Sequence, residues 1–170
     1  MKNILITGLP RVGKTTLITT ILEELKKKAI GFVTEEIREN NMRIGFELKT
    51  ISGQKLLLAS KRNTTSRYRV ASYGVYLENV DSIIDSLSSR LDEVDYDLII
   101  VDEIGKMELF SSKFKMFVMN CLEKKKVLGT IMIRDNDFTR QIKRRNDTIL
   151  LEITVNNREK VKNKIMELLI

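Results

Sequence analysis

Gly8-Leu9-Pro10-Arg11-Val12-Gly13-Lys14-Thr15 decides how the chain is read. A short apolar run, Ile4-Leu5-Ile6, precedes it, and Leu17, Ile18, Ile21, Leu22 and Leu25 follow with the spacing of one helix face. The order is strand, glycine loop, helix. That is the context in which G-x-x-x-x-G-K-[ST] binds phosphate. Glycine at both ends lets the backbone take φ values that other residues avoid and approach a ligand closely. Successive N–H groups then point inward, and the helix N-terminus adds its partial positive charge. The pattern assigns Lys14 to the β- and γ-phosphates and the Thr15 hydroxyl to Mg2+, with Thr16 close to the α-phosphate. Gly8, Leu9, Pro10, Arg11, Val12, Gly13, Lys14, Thr15 and Thr16 form the expected nucleotide-binding loop. The four fixed positions coincide by chance in roughly one chain of this length in a hundred, so the flanking strand and helix strengthen the assignment.

The second informative stretch is Tyr96-Asp97-Leu98-Ile99-Ile100-Val101-Asp102-Glu103-Ile104-Gly105-Lys106-Met107-Glu108. Its continuous apolar run is what a strand buried on both faces looks like, and it ends in two carboxylates. At the carboxyl end of a strand beside the phosphate loop, Asp102 is the expected holder of Mg2+. Glu103 is placed to polarise an attacking water. Asp102-Glu103-Ile104-Gly105 also fits the D-x-x-G pattern of GTP switch proteins, but those read guanine with an N-K-x-D element that is absent here. Small P-loop kinases typically place Arg after the acid; Asp-Glu suits water as the acceptor.

Composition bounds the alternatives. At 170 residues, 42% apolar and 31% charged, the chain is long enough for one domain with a substantial core, expected over residues 1–170. No apolar run reaches the roughly 18 residues of a membrane span, and the N-terminus enters a strand at once, without a secretory signal. Cys121 is the only cysteine and reads as a buried helix residue, so no intramolecular disulfide forms and a reducing cytoplasm is expected. The absence of histidine excludes Ser-His-Asp and Cys-His catalysis and histidine metal sites. The net charge of +7 permits an anionic partner. Much of the excess lies in Lys26-Lys27-Lys28 and Lys124-Lys125-Lys126, read as cations at helix C-terminal ends rather than as a nucleic-acid patch.

Between these landmarks, residues 29–34 read as a strand leading into Glu35-Glu36-Ile37-Arg38. Residues 43–51 alternate apolar and polar, and Ser52-Gly53 turns into residues 54–59, which predicts an antiparallel meander attached to the sheet. Residues 60–73 are polar and basic without a steady period and are expected to form a loop, either a basic cover over the nucleotide or an exposed connector. Helices are expected over 77–91, 114–122 and 137–145, and strands over 127–133 and 148–155. Thr130 either faces the γ-phosphate or fills the sheet; Arg134, Arg140, Arg144 and Arg145 are candidates for stabilising transition-state charge. Asn156 or Asn157 caps a last helix over 158–169.

With these residues in view, the chain resembles the thermostable P-loop nucleoside-triphosphatase family, whose animal members are called cancer-related nucleoside-triphosphatases. The resemblance runs through residues 8–16, 31–38, 43–46, Tyr73-Gly74-Val75, the distinctive Asp102–Phe110 stretch, residues 128–131, Thr154, and Asn157-Arg158. It implies a three-layer α/β fold with a RecA-like, mainly parallel sheet flanked by helices, and with the glutamate-bearing strand next to the phosphate-loop strand. It implies Mg2+-dependent hydrolysis of ATP, GTP and other nucleoside triphosphates to the diphosphate and phosphate, with broad base tolerance, by a monomer. Carried onto this chain, Lys14, Thr15 and Asp102 bind nucleotide and metal, Glu103 is the base, Lys106 contacts the γ-phosphate region, and Asn157 and Arg158 stand near the nucleoside. Residues 70–73 lack the glycine and lysine the family places before the tyrosine. Two other classes stay open: a nucleotide or small-metabolite kinase, and a regulatory P-loop module binding nucleic acid through loop 60–73.

Overall fold

The computed structural model describes residues 1–170. In chain order its elements are β1 (Asn3–Thr7), α1 (Lys14–Leu25), β2 (Ala29–Glu39), β3 (Met42–Thr50), β4 (Lys55–Ser60), β5 (Arg69–Val70), β6 (Tyr73–Val75), α2 (Leu77–Glu93), β7 (Leu98–Ile104), α3 (Ser112–Glu123), β8 (Val127–Ile131), α4 (Asp137–Lys143), β9 (Thr148–Glu152) and α5 (Arg158–Leu169). A single 3₁₀ turn, Glu108–Phe110, separates β7 from α3.

All nine strands join one sheet in the order 5-6-4-3-2-7-8-1-9. Strands β2, β7, β8, β1 and β9 run parallel, while β3, β4, β6 and β5 extend the sheet in antiparallel fashion. Side chains alternate across the pleat, which explains why the parallel strands read as unbroken apolar runs. Ile4, Ile6, Leu98 and Ile100 pack with α1 and α5 on one face; Leu5, Ile99 and Val101 pack with α2 and α3 on the other. Two helical layers therefore enclose the sheet. No helix is long and apolar enough to cross a membrane.

The strand order corrects one expectation. The glutamate-bearing β7 is not next to the phosphate-loop strand β1, because β8 pairs with both and lies between them. The sequence of β8, Val-Leu-Gly-Thr-Ile, suits that position: every residue is buried, and a Cβ on Gly129 would stand only 2.4 Å from the Val101 carbonyl oxygen. Asn3 fixes the arrangement from β1. Its Nδ2 donates to the Leu122 carbonyl at 2.9 Å and its Oδ1 accepts from the Val127 N–H at 3.2 Å, tying the turn that enters β8 to the start of β1.

Loop 60–73 is also more ordered than its composition suggests. Its end forms the β5–β6 hairpin on the sheet edge, strands of two and three residues that are too short to show a period. The Ser66 hydroxyl donates to the Val75 carbonyl at 2.8 Å, and Arg69 donates to Asn63 O at 2.7 Å. Tyr68 packs against Phe110, with ring centroids 5.5 Å apart, so the loop is docked on the segment that follows β7. The two lysine triplets lie just beyond α1 and α3. Lys27 donates to the Leu169 carbonyl, Lys28 sits over the Tyr96 ring at 5.4 Å, and Lys124 and Lys126 pair with Asp92 and Asp95.

Candidate active site

The carboxyl ends of β1, β8 and β7 converge beside the N-terminus of α1. Gly8, at φ 154°, is buried beneath Ile153, whose carbonyl oxygen lies 2.6 Å from where a Cβ would stand; Gly13, at φ 95°, sits at the cap of α1. Both positions exclude a side chain, one through the strand end behind it and the other through its backbone conformation as well as its neighbour. Between them Leu9, Pro10 and Arg11 are exposed, while Val12 turns into the core under α1. The Lys14 ammonium donates to the carbonyl oxygens of Gly8 and Leu9, at 3.0 and 3.1 Å, so it lies across the mouth of the loop. Thr15 is half-buried, and Thr16 is exposed.

Asp102 is 1% exposed. Its Oδ1 accepts from the Thr130 hydroxyl at 2.5 Å, and its main-chain carbonyl accepts from the Thr34 hydroxyl at 2.7 Å. Its Oδ2 is buried with no hydrogen-bond partner in the chain. Burial pushes the carboxyl up, while Thr130, Thr15 and Lys14 pull it down. An acidic oxygen held out of water, with a threonine hydroxyl close by, is a donor set for a hard cation that brings water and phosphate oxygens of its own. No trio of carboxylate, cysteine or histidine side chains gathers to hold a metal without such added oxygens.

Glu103 follows at the carboxyl end of β7 and is half-buried. Burial first, and the Asp102 charge second, push its carboxyl above the ordinary glutamate range, against the pull of Lys14. Both causes make it a better proton acceptor near neutral pH. Lys106, three residues on, is exposed. From the far side of the loop, Arg158 Nη2 donates to the Val12 carbonyl at 2.6 Å. Asn157 uses its amide within the β9–α5 turn, accepting from Thr154 N at 2.7 Å and donating to Glu152 O at 3.0 Å. It stands at the cap position of α5 without a side-chain capping bond.

Thr130 joins the site as one of its two expected roles requires, and Thr34 and Glu108 join it unannounced by the sequence. Thr130 was legible as the one hydroxyl inside a buried apolar strand, and its partner is Asp102. Thr34 touches the site only because β2 lies beside β7. Glu108 is 4% exposed and folds back to within 3.1 Å of the position a Gly105 Cβ would take. Of the four candidate arginines, Arg145 is committed elsewhere. It forms a two-pronged pair with Asp147 at 2.8 and 2.7 Å, beside the amino end of β1 and hence at the opposite edge of the sheet. Arg140 pairs with Asp137 on the surface, and Arg134 and Arg144 are exposed.

The arrangement joins the glycine loop after β1 to a buried carboxylate and a second acid at the end of β7, with β8 between the two strands. A family described as NTPase matches residues 3–166. The chain belongs to this NTPase family. The nucleoside-triphosphatase THEP1 of Thermotoga maritima is 45% identical over 168 residues, covering 98% of this chain and 94% of its own length. The THEP1 of Aquifex aeolicus is 42% identical over 175 residues, covering 98% of each chain. Among solved structures, the crystal structure of THEP1 from Aquifex aeolicus superposes with a TM-score of 0.85 at 40% identity, over 99% of both chains. The solution structure of a human cancer-related nucleoside triphosphatase superposes at 0.81 with 31% identity, over 99% of this chain and 97% of that one. The α/β fold of this NTPase, antiparallel extension included, is thus shared along nearly its full length.

Proposed function

We propose that this chain hydrolyses nucleoside 5′-triphosphates to the diphosphate and inorganic phosphate, with Mg2+ and with broad tolerance of the base. The observation that carries the reading is the pair Asp102-Glu103 at the end of β7, one acid buried with an unpartnered oxygen and the next half-buried with its proton affinity raised. The phosphate loop, Gly8 to Thr16, wraps the β-phosphate with N–H groups, and Lys14 exchanges its two carbonyl partners for phosphate oxygens. Thr15 and Asp102 hold the Mg2+, whose contribution is to offset the negative charge of the phosphates. Thr130 keeps the Asp102 carboxylate in one orientation. Glu103 orients the attacking water and takes its proton, and Lys106 reaches the γ-phosphate side from the exposed bend after Gly105.

Base tolerance follows from the β9–α5 turn. Each polar atom of the Asn157 amide makes one bond within that turn, and the neighbouring Val155 offers an exposed apolar side chain. Such a surface packs against a base without reading its edge, while Arg158 braces the loop beneath. The monomer is the proposed working unit, as the family resemblance implies. A cytoplasmic setting suits the single cysteine, Cys121, buried in α3.

The test is phosphate release from ATP, GTP, CTP and UTP with Mg2+ and no acceptor, comparing the wild type with Glu103→Gln. Turnover of several nucleotides, lowered about a hundredfold or more in the variant with Mg-nucleotide binding retained, is expected of a lost general base. Tight binding without turnover in the wild type points instead to a kinase lacking its acceptor. Equal rates in both proteins remove Glu103 from the chemistry.

A further inference from the structure

Glu108 is buried, yet it makes no ion pair and no hydrogen bond to another side chain. Burying a carboxyl with no cation beside it costs stability, so a fold that keeps one gains something elsewhere. Its Oε2 and the Glu103 Oε1 converge on the same place, 3.1 and 2.9 Å from where a Gly105 Cβ would stand. Gly105 does not adopt a positive φ, so its backbone conformation is open to any residue. A side chain there would meet the ends of the two carboxyls and push them aside. The turn carrying Glu108 is itself fixed. Leu109 N donates to Gly105 O at 3.1 Å and Ser111 N donates to Glu108 O at 3.0 Å. The Ser111 hydroxyl in turn caps α3 by accepting from Phe114 N and donates to Asp81 on α2.

We propose that Glu108 is a positioning residue for Glu103: from a rigid turn, its carboxyl closes one side of the space over Gly105 and holds the Glu103 carboxylate toward Lys14. The inference rests on the reading of Glu103 as the base. Burial, and after it the Glu103 charge, push the Glu108 carboxyl well above the usual range, so the two acids do not meet as a pair of anions. The role is one of shape and polarity. Glutamine reproduces it, and an apolar side chain of similar length does not.

The experiment measures kcat and KM for Mg-ATP, the equilibrium affinity for Mg-ATP and the thermal midpoint for wild type, Glu103→Gln, Glu108→Met, Glu108→Gln and Gly105→Ala. Glu108→Met is expected to lower kcat about tenfold or more, as loss of orientation does, with nucleotide affinity kept within about twofold and a thermal midpoint at or above wild type. Glu108→Gln restores kcat to within about threefold of wild type, because it keeps the contacts of the carboxyl. Gly105→Ala keeps both acids but drives a methyl group between them, and lowers kcat as Glu108→Met does; it decides the matter should the methionine variant fail to fold. Full turnover in Glu108→Met, or a loss that glutamine does not restore, overturns the proposal. A fully active Glu103→Gln would instead refute the base, whereas a slow Glu103→Gln beside a fully active Glu108→Met refutes the positioning alone.

Discussion

Arg158 Nη2 lies 2.7 Å from the point where a Gly13 side chain would begin, and the same nitrogen donates to the carbonyl of Val12 at 2.6 Å. The first residue of α5 thus braces the phosphate loop from the other end of the chain. Gly13→Ala meets both that guanidinium and an unfavourable φ of 95°, and nucleotide affinity is expected to fall at least tenfold, about 1.4 kcal/mol. Arg158→Ala leaves the loop in place but unbraced, with a several-fold loss. Titration with a fluorescent nucleotide measures both, and wild-type affinity in Arg158→Ala would show that the brace is dispensable.

Thr130→Val keeps the β-branched shape that β8 requires and removes the hydroxyl that Asp102 accepts from. The buried carboxylate then lacks partners on both oxygens, a change worth about 1–3 kcal/mol. At saturating nucleotide, the Mg2+ concentration giving half-maximal phosphate release is expected to move by several-fold. An unchanged Mg2+ requirement would assign Thr130 to the sheet alone.

Glu108 sets a pH dependence of stability whose sign follows from its raised proton affinity. In the unfolded chain a glutamate ionises above about pH 4.3, while the folded carboxyl keeps its proton. The folded state therefore binds more protons, and stability falls as pH rises from that point toward the folded value, by roughly 1.4 kcal/mol per unit. Glu108→Gln lacks this cost. Its advantage over wild type in urea unfolding is expected to be small near pH 4 and to grow toward neutrality. A constant difference would mean that Glu108 is charged in the folded protein.

Asn3 offers a purely structural test, because its amide serves Leu122 O and Val127 N inside the core. Asn3→Ala leaves two buried backbone groups unpaired and is expected to cost about 2–3 kcal/mol in urea unfolding, with activity per folded molecule retained. A loss below about 0.5 kcal/mol would show that the turn into β8 holds without the pin.

The strand–glycine loop–helix unit, the acidic end of β7 and the three-layer class were legible from the residues alone. Each rests on local chemistry: glycines where the backbone must come close, helical spacing after Lys14, and an apolar run that only a doubly covered strand tolerates. The meander of β3 and β4 was legible for the same reason, since alternation records a face. That β8 separates β7 from β1 was not legible, because strand order depends on which buried apolar run packs beside which, and such runs carry no label. That insertion is what brings Thr130 to Asp102, 28 residues away in sequence. The folding of Glu108 onto Gly105, the grip of Arg158 on Val12 and the removal of Arg145 to the far edge were hidden likewise. Each depends on where a side chain ends up after long-range packing, which spacing along a single strand or helix does not encode.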